Sequence, residues 1–229
     1  MKEEEENDSQ IEEISYKIIL LGDTSAGKTC FFKRLTMGNF NDKIISTIGV
    51  DKKSFIIKCD FDENGEKVEK NVVIILTDTA GQERYQSLTQ NYYRGSDSAI
   101  LFYDITNKKS FNNIKIWKES ILKENGTESD DQFIIFLIGT KLDLVEDGQK
   151  ERKVTIEEAK DKCKELGLYW SGEISSKEFD QDKMLDIIKE NIRILYSKIG
   201  IKKEENESFV LKKQNKKNKN KKKKNPCPC

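Results

Sequence analysis

The sequence lacks any long apolar run. No stretch of its 229 residues approaches the roughly 18 consecutive apolar residues that a membrane-spanning helix requires. The segment Met1–Asp8 is acidic, whereas a secretory signal is basic and then apolar. We therefore expect a chain that is neither secreted nor spans a membrane.

The sequence also lacks the cysteine pattern of a disulfide framework. Its five cysteines are odd in number, and only Cys227 and Cys229 lie close together. This usage is typical of a protein in the reducing cytosol. The length and the 35% hydrophobic content suffice for one ordinary core, so a second full domain is not expected.

The charge is balanced overall but unevenly distributed. There are 41 basic and 41 acidic residues, yet nine lysines and no acid follow Leu211. The acidic start has little to bury, and the end, rich in lysine and asparagine, cannot pack. These features predict a disordered acidic arm at 1–14, a folded domain at 15–201 and a disordered basic tail at 202–229.

Apolar runs suited to buried strands alternate with stretches at helical spacing. The predicted strands are Tyr16–Leu21, Ser54–Cys59, Val72–Leu76, Ser98–Tyr103, Phe133–Ile138 and Leu168–Ile174. The predicted helices are Lys28–Met37, Ser110–Lys123, Thr155–Leu166 and Gln181–Ile199, with a less regular one in Arg84–Arg94. Asn64-Gly65 predicts a hairpin turn within Asp60–Glu66. The pattern indicates an α/β fold with a six-stranded, mixed but mostly parallel sheet and helices on both faces.

The segment Gly22–Thr29 follows the first predicted strand and opens the first predicted helix, which is the context of a phosphate-binding loop. Backbone N–H groups of such a loop and helix converge on anionic oxygens. Lys28 would reach the β- and γ-phosphates, and the Thr29 hydroxyl would ligate Mg²⁺. The segment predicts a P-loop NTPase fold. The residues expected to contact nucleotide here are Thr24, Ser25, Ala26, Gly27, Lys28, Thr29 and Cys30.

Three further segments indicate which nucleotide is bound. After a strand, Asp78 would hold Mg²⁺ through water, Gly81 would meet the γ-phosphate and Gln82 would orient the attacking water. A later strand ends in Thr140-Lys141-Leu142-Asp143, where the Asp143 carboxylate can accept bonds that guanine donates and adenine cannot. Lys141 would lay its stem on the purine. The last strand leads into Ser175, Ser176 and Lys177, where the Ser176 N–H can meet guanine O6.

Together these motifs resemble the Ras superfamily and, within it, the Rab GTPases, from Tyr16 to Cys229. The marks of the resemblance are Ser46–Asp51, Asp78–Arg84, Tyr92–Gly95, Tyr103–Thr106 and the terminal Cys227-Pro228-Cys229. The resemblance implies that Thr47 binds Mg²⁺ and the γ-phosphate in a first switch, and that a second switch runs from about Ala80 to Tyr93. It also implies that Phe40 lies against the guanine ring edge, although a core phenylalanine is an alternative.

The sequence departs from the family pattern at several places. Family members usually carry Asn where Thr140 stands, although the Rho branch also carries Thr there. Thr24 and Ser25 add bulk beside the γ-phosphate and could slow hydrolysis. Rab proteins place aromatics where Lys52 and Thr77 lie, so divergent effectors are expected. The hairpin around Asp60–Lys70 is longer than the family norm.

The lysine tract alone would fit a nucleic-acid-binding segment, a nuclear-targeting signal or a solvated tail. The final cysteines favour another interpretation, because Cys227 and Cys229 resemble the Rab terminus on which both thiols receive geranylgeranyl groups. A four-residue prenylation box would need cysteine at Pro226. Two lipid chains and a basic segment hold a protein stably on a membrane. We therefore expect no nucleic-acid partner.

The resemblance implies a membrane-associated GTP/GDP switch that hydrolyses GTP, with Lys28 and Gln82 catalytic, and that recruits effectors in vesicle traffic. The implied partners are an exchange factor, a GTPase-activating protein, and a dissociation inhibitor or escort protein. The implied location is the cytoplasmic face of an intracellular membrane, in exchange with cytosol. Two alternatives are a scaffold locked in one nucleotide state, and a P-loop ATPase or kinase, which Asp143 argues against.

Overall fold

A six-stranded sheet organises the part of the chain that the structure, a computed structural model, describes: residues 14–38, 50–79, 95–125 and 133–200. The strands are β1 Ile14–Gly22, β2 Val50–Glu63, β3 Glu66–Thr79, β4 Ser98–Asp104, β5 Ile134–Thr140 and β6 Tyr169–Ile174. The helices in these ranges are α1 Lys28–Met37, α2 Lys108–Asn112, α3 Ile114–Asn125, α4 Leu142–Glu146, α5 Ile156–Leu166 and α6 Gln181–Ile199.

The strand order is β2-β3-β1-β4-β5-β6. Only β2 and β3 are antiparallel, and the other neighbours are parallel, which confirms the predicted α/β fold. Parallel strands place their carboxyl ends at one edge of the sheet, and the chain order reverses direction on either side of β1. The loop after β1 therefore lies at a topological switch point, where α/β sheets bind ligands.

The core forms two layers, one on each face of the sheet. Because side chains alternate along a strand, Tyr16, Ile18 and Leu20 of β1 face one layer, whereas Ile19 and Leu21 face the other. The first layer includes Phe31 and Leu35 of α1 and Ile188 and Ile192 of α6. The second includes Trp117 and Ile121 of α3 and Ala159 and Cys163 of α5. Apolar residues at helical spacing thus cover both faces.

The observed elements differ from the predicted ones at a few places. β1 begins at Ile14, a fully buried residue that the prediction assigned to the acidic arm. The helix predicted at Ser110–Lys123 begins earlier, after the Asn107 cap, and is interrupted at Asn113. The five-residue helix α4 was not predicted. The helix predicted in Arg84–Arg94 lies outside the described residues.

The β2–β3 hairpin is longer than the two predicted strands. Its strands pair from Val50 opposite Thr79 to Glu63 opposite Glu66, around the predicted Asn64-Gly65 turn. Both turn residues have positive φ, 56° and 87°, which suits the twist of a two-residue hairpin.

The far end of the hairpin packs on α6. The rings of Phe61 and Tyr196 lie 4.1 Å apart, and the Arg193 Nε donates to the Asp60 carbonyl at 3.1 Å. The Tyr196 hydroxyl and the Lys70 ammonium both contact the Glu63 carboxylate. In the described ranges, no helix has the length and apolarity to cross a membrane.

Candidate functional site

The loop between β1 and α1 closes around the side chain of Lys28. This lysine is 4% exposed, and its ammonium donates to the carbonyl oxygens of Gly22 at 2.7 Å and Asp23 at 2.8 Å. Gly27, at φ 90°, precedes α1 without a side-chain cap, and the first turn of α1 carries no acid. The helix N-terminus therefore presents N–H groups and positive dipole to the loop, an arrangement that binds phosphate.

The side chains of this loop differ in exposure. Thr24 and Ser25 are exposed at its tip, and Ala26 is buried beneath them. Ser25 has φ 63°, a left-handed conformation that helps N–H groups converge on an anion. In the first turn of α1, burial raises the pKa of the Cys30 thiol. The Cys30 side chain therefore stays a neutral thiol, and we expect Cys30 to contact a ligand through its backbone N–H and not through a thiolate.

A buried carboxylate lies beside the phosphate loop. Asp78, near the end of β3, is fully buried, and its Oδ2 accepts a hydrogen bond from the Thr29 hydroxyl at 2.7 Å. Its Oδ1 is buried and has no hydrogen-bond partner in the structure. Burial raises the pKa of the Asp78 carboxyl, although Thr29 and Lys28 oppose the shift. A desolvated, half-satisfied carboxylate beside a hydroxyl fits a hard cation such as Mg²⁺.

The segments predicted to read the base come together at the ends of β5 and β6. Asp143 lies in the first turn of α4, 8% exposed, and its Oδ1 accepts from the Ser175 hydroxyl at 2.8 Å. Ser175 in turn accepts from the Glu178 N–H at 3.0 Å. Ser176 follows, also buried. A carboxylate held in this way can accept from two donors on one edge of a flat ring.

Lys141 connects the end of β5 with the end of β4. Its left-handed backbone, φ 67°, caps α4, and its ammonium lies 2.7 Å from Asp104 Oδ2 at the end of β4. Lys177, by contrast, is half-exposed, and its ammonium lies 3.7 Å from Asp147. The Asp104 pair fixes the Lys141 ammonium, so its aliphatic stem is available to pack on a ring.

Thr140 connects the two parts of the site. Its hydroxyl lies 2.9 Å from the Ala26 carbonyl oxygen and 3.0 Å from that of Tyr103. A Cβ added at Gly27 would lie 3.1 Å from the Thr140 side chain, so the loop passes directly against it. The structure thus brings the predicted phosphate-binding and base-binding residues to one edge of the sheet.

The sequence analysis missed the residues that hold Asp23. One Asp23 oxygen accepts from the Trp117 indole N–H at 2.8 Å, and the other accepts from the Asn113 side-chain amide at 2.7 Å. Asn113 and Trp117 lie four positions apart, so both side chains can face one spot. This four-residue spacing is the only signal in the sequence, and it does not show that Asp23 is the partner of the two side chains.

Six predicted site residues lie outside the described residues. They are Phe40, Thr47, Gly81, Gln82, Cys227 and Cys229. Within the described ranges there is no group of three or more cysteine, aspartate or glutamate side chains that could hold a metal ion. The described residues that could hold Mg²⁺ are Asp78 and Thr29, and this cation commonly completes its ligand shell with phosphate oxygens and water.

Comparison with known proteins identifies relatives of the chain. The family model described as "Ras family" matches residues 17–196. The chain is 35% identical to Ras-related protein Rab-13 of Mesocricetus auratus, over 89% of this chain and 93% of that one. It is 38% identical to RabC of Dictyostelium discoideum, over 73% and 78% of the two chains. It is 34% identical to SEC4 of Saccharomyces cerevisiae, over 82% and 78%.

Proposed function

The chain belongs to the Ras family as a Rab-type small GTPase, and from that premise we propose which residues bind and hydrolyse its GTP. The phosphates lie on the loop from Thr24 to Cys30, around Lys28. Guanine lies against Lys141 and Asp143. The observation that carries this assignment is the Thr140 hydroxyl against the Ala26 carbonyl, which joins a phosphate loop to a base-reading corner in one continuous site.

Asp143 supplies the preference for guanine. Guanine presents an N1–H and an exocyclic amine at C2 on one edge, and a carboxylate accepts from both, whereas adenine presents an acceptor at N1 and only a C–H at C2. Because Asp143 is buried and already fixed by Ser175, adenine would leave it desolvated and unmatched. In this proposal the N–H of the buried Ser176, in the same loop as Ser175, meets O6. An ATPase or kinase assignment does not fit a base-binding site built on Asp143.

Thr29, Asp78 and Thr47 hold the metal in this proposal. Mg²⁺, when bound, offsets the charge of the β- and γ-phosphates. Thr29 supplies its hydroxyl oxygen, and the buried Asp78 supplies the negative charge that favours a cation at this place. Thr47, in the first switch, is assigned by the resemblance and would contact both metal and γ-phosphate only in the GTP state.

Hydrolysis depends on positioning in this proposal. Lys28 places its ammonium at the phosphates, the Gly81 N–H meets the γ-phosphate, and Gln82 orients the attacking water. The three arginines of the described residues bind elsewhere: Arg34 to main-chain carbonyls, Arg152 to Glu173 and Arg193 to Glu190. The family resemblance implies that intrinsic turnover is slow, and we expect an activating protein that supplies an arginine to accelerate it.

The tail is proposed to place the switch on a membrane. Geranylgeranyl groups on Cys227 and Cys229, together with the lysines of the tail, would hold the protein at the cytoplasmic face of an intracellular membrane. An escort protein or dissociation inhibitor would cover these lipids in the cytosol. The structure supports divergent effectors, because Lys52 and Thr77 stand directly opposite each other on β2 and β3 and leave a polar surface there.

Single-turnover hydrolysis of GTP tests the catalytic assignment. Wild-type protein loaded with GTP and Mg²⁺ should release phosphate slowly, and Gln82→Leu should retain GTP because its water is no longer oriented. Gln149→Leu is the matched control, since Gln149 is an exposed glutamine whose amide contacts only Asp147 among the contacts described. Phosphate release by Gln82→Leu at the wild-type rate would refute the role of Gln82. A locked scaffold would release none in either form.

A further inference from the structure

A single guanidinium joins two segments of the chain that flank the site. Arg34, in the second half of α1, donates to three main-chain carbonyl oxygens. Its Nε lies 2.9 Å from the oxygen of Ser176, its Nη2 2.5 Å from that of Lys177, and its Nη1 3.0 Å from that of Gly38. The three acceptors belong to two segments about 140 residues apart in the sequence.

The first of these segments is the base-reading loop. Ser176 and Lys177 directly follow Ser175, whose hydroxyl holds the Asp143 carboxylate at 2.8 Å. The loop is short, because the N–H of Phe179 already bonds back to the carbonyl of Ser175 at 2.9 Å. A shift of the Ser176 and Lys177 peptides would therefore displace both the Ser176 N–H and the serine that orients Asp143.

The second segment is the end of α1. Gly38 terminates the helix with a left-handed backbone, φ 68°, and its own N–H donates to the Arg34 carbonyl at 3.0 Å. Arg34 thus binds Gly38 through both its main chain and its side chain. Gly38 also directly precedes residues 39–49, the segment that carries the predicted first-switch Thr47.

A guanidinium is suited to this role, and an ammonium is not. Its planar fork presents five N–H donors in fixed directions, so it can serve three carbonyls at once, whereas lysine places one compact charge at one point. Hydrogen bonds from a charged donor are about twice as strong as neutral ones. The start of α6 has a separate tether to α1, from the Gln181 amide to the Leu35 carbonyl at 2.7 Å, so α6 stays in place without Arg34.

We propose that Arg34 is a positioning residue that sets the rate of nucleotide release by coupling the base-reading loop to the entrance of the first switch. A partner that pulls the chain away at Gly38 would remove one carbonyl from the guanidinium and loosen its hold on the other two. Release of the base would then follow from movement at the switch, without direct contact of the partner with the base. The proposal rests on the guanine site proposed above.

The first test compares Arg34→Lys with Arg193→Lys. Arg193 is a matched control, because it also donates to a main-chain carbonyl, that of Asp60, but on the hairpin. With Mg²⁺ present, a fluorescent GDP chased by excess GDP should leave Arg34→Lys roughly ten-fold faster than wild type, since charged hydrogen bonds to the loop are lost. Arg193→Lys should release it at the wild-type rate.

Hydrogen exchange separates positioning from general destabilisation. In the GDP-bound Arg34→Lys protein, the amides of residues 176–178 should lose protection, whereas those of β6 and α6 should keep it. A uniform loss of protection over the described domain would mean that Arg34 only stabilises the fold, and would overturn the proposal.

A double-mutant cycle tests the coupling itself. An added Cβ at Gly38 meets only the Gln181 side chain, at 3.6 Å, so Gly38→Ala fits sterically, but its φ of 68° strains the helix end and moves the Gly38 carbonyl. Gly38→Ala should accelerate GDP release several-fold, and Arg34→Lys/Gly38→Ala should be no faster than Arg34→Lys alone. Additive rates, or a Gly38→Ala rate equal to wild type, would overturn the coupling.

The proposed guanine site can fail separately. If it fails, Asp143→Asn in an otherwise unchanged chain will bind GDP as tightly as wild type does. If the Arg34 proposal alone fails, Asp143→Asn will still lose GDP, and Arg34→Lys will release GDP within two-fold of the wild-type rate.

Discussion

The hydroxyl of Thr140 lies 2.9 Å from the carbonyl oxygen of Ala26, so the last residue of β5 contacts the middle of the phosphate loop. The family resemblance implies asparagine at this position, and the Thr140 hydroxyl provides a donor to the loop. The departure at this position therefore preserves the connection between the base-reading and phosphate-binding parts of the site. Its strength can be measured by removing the hydroxyl alone.

Thr140→Val should accelerate GDP release about five- to ten-fold, because valine keeps the shape and leaves the buried Ala26 carbonyl without its donor. Thr140→Asn should restore the slow release, since its amide can donate to the same oxygen. The control is Thr36→Val, which removes a hydroxyl that donates to Phe32 within α1 at 2.7 Å. Release from Thr140→Val at the wild-type rate would show that the contact does not hold the loop.

Trp117→Phe should also accelerate GDP release, by a few-fold. Phenylalanine removes the indole donor at 2.8 Å from Asp23 Oδ1, so of the two side-chain donors to the Asp23 carboxylate only Asn113 remains, and the loop is held less firmly. Trp170→Phe, on β6, is the control. It leaves Trp117 as the sole tryptophan of the chain, so its fluorescence can report directly on the loop during nucleotide exchange.

Asp78→Asn should separate the stability of the nucleotide-free protein from metal binding. Burial raises the pKa of Asp78, so the native state binds this proton more tightly than the unfolded state does. The contribution of Asp78 to stability is therefore lost as pH rises through its raised native pKa. At neutral pH, Asp78→Asn should leave the nucleotide-free protein at least as stable as wild type, as measured by thermal unfolding.

The same variant should lose the additional stabilisation that Mg²⁺ gives to the GDP-bound wild type. Lowering the pH through the raised pKa should weaken Mg²⁺ binding by wild type, because the protonated carboxyl offers the cation no charge. Asp161→Asn, an exposed change on α5, should respond to Mg²⁺ as wild type does. Equal Mg²⁺ stabilisation of GDP-bound Asp78→Asn and wild type would contradict the metal assignment.

Phe61→Ala should lower the free energy of unfolding by about 3 kcal/mol, since Phe61 is 4% exposed between the hairpin and α6. GDP release should stay unchanged, because this contact lies at the end of the hairpin away from the site. Ile56→Ala on the same strand is the control. Its side chain is 64% exposed, so stability should change by less than about 0.5 kcal/mol. Faster GDP release from Phe61→Ala would indicate that the hairpin communicates with the nucleotide.

The sequence predicted the elements whose apolar pattern is strong. α1 and α6 have the predicted bounds, because each carries a regular apolar face that the sheet buries. α4 was missed, because five residues are too few for a helical period. β2 and β3 extend beyond their apolar cores, because hairpin pairing continues through charged residues around Lys58 and Glu69.

The sequence predicted the motifs of the site but not the hydrogen bonds that connect them. Lys28, Thr29, Asp78 and Asp143 were predicted as site residues from their spacing and from their position at strand ends. The contacts from Trp117 to Asp23 and from Arg34 to Ser176 join residues 94 and 142 positions apart. Such contacts depend on how helices pack across the sheet, and no local pattern in the sequence encodes them.

The most direct test of the account is the nucleotide preference of Asp143→Asn. Xanthine carries a carbonyl where guanine carries its exocyclic amine, so an asparagine amide can donate to xanthine, whereas a carboxylate cannot. Competition between GDP and XDP for the Mg²⁺-bound site should favour GDP in wild type and in Asp161→Asn, and XDP in Asp143→Asn. An Asp143→Asn protein that still prefers GDP would contradict the central claim that Asp143 reads guanine.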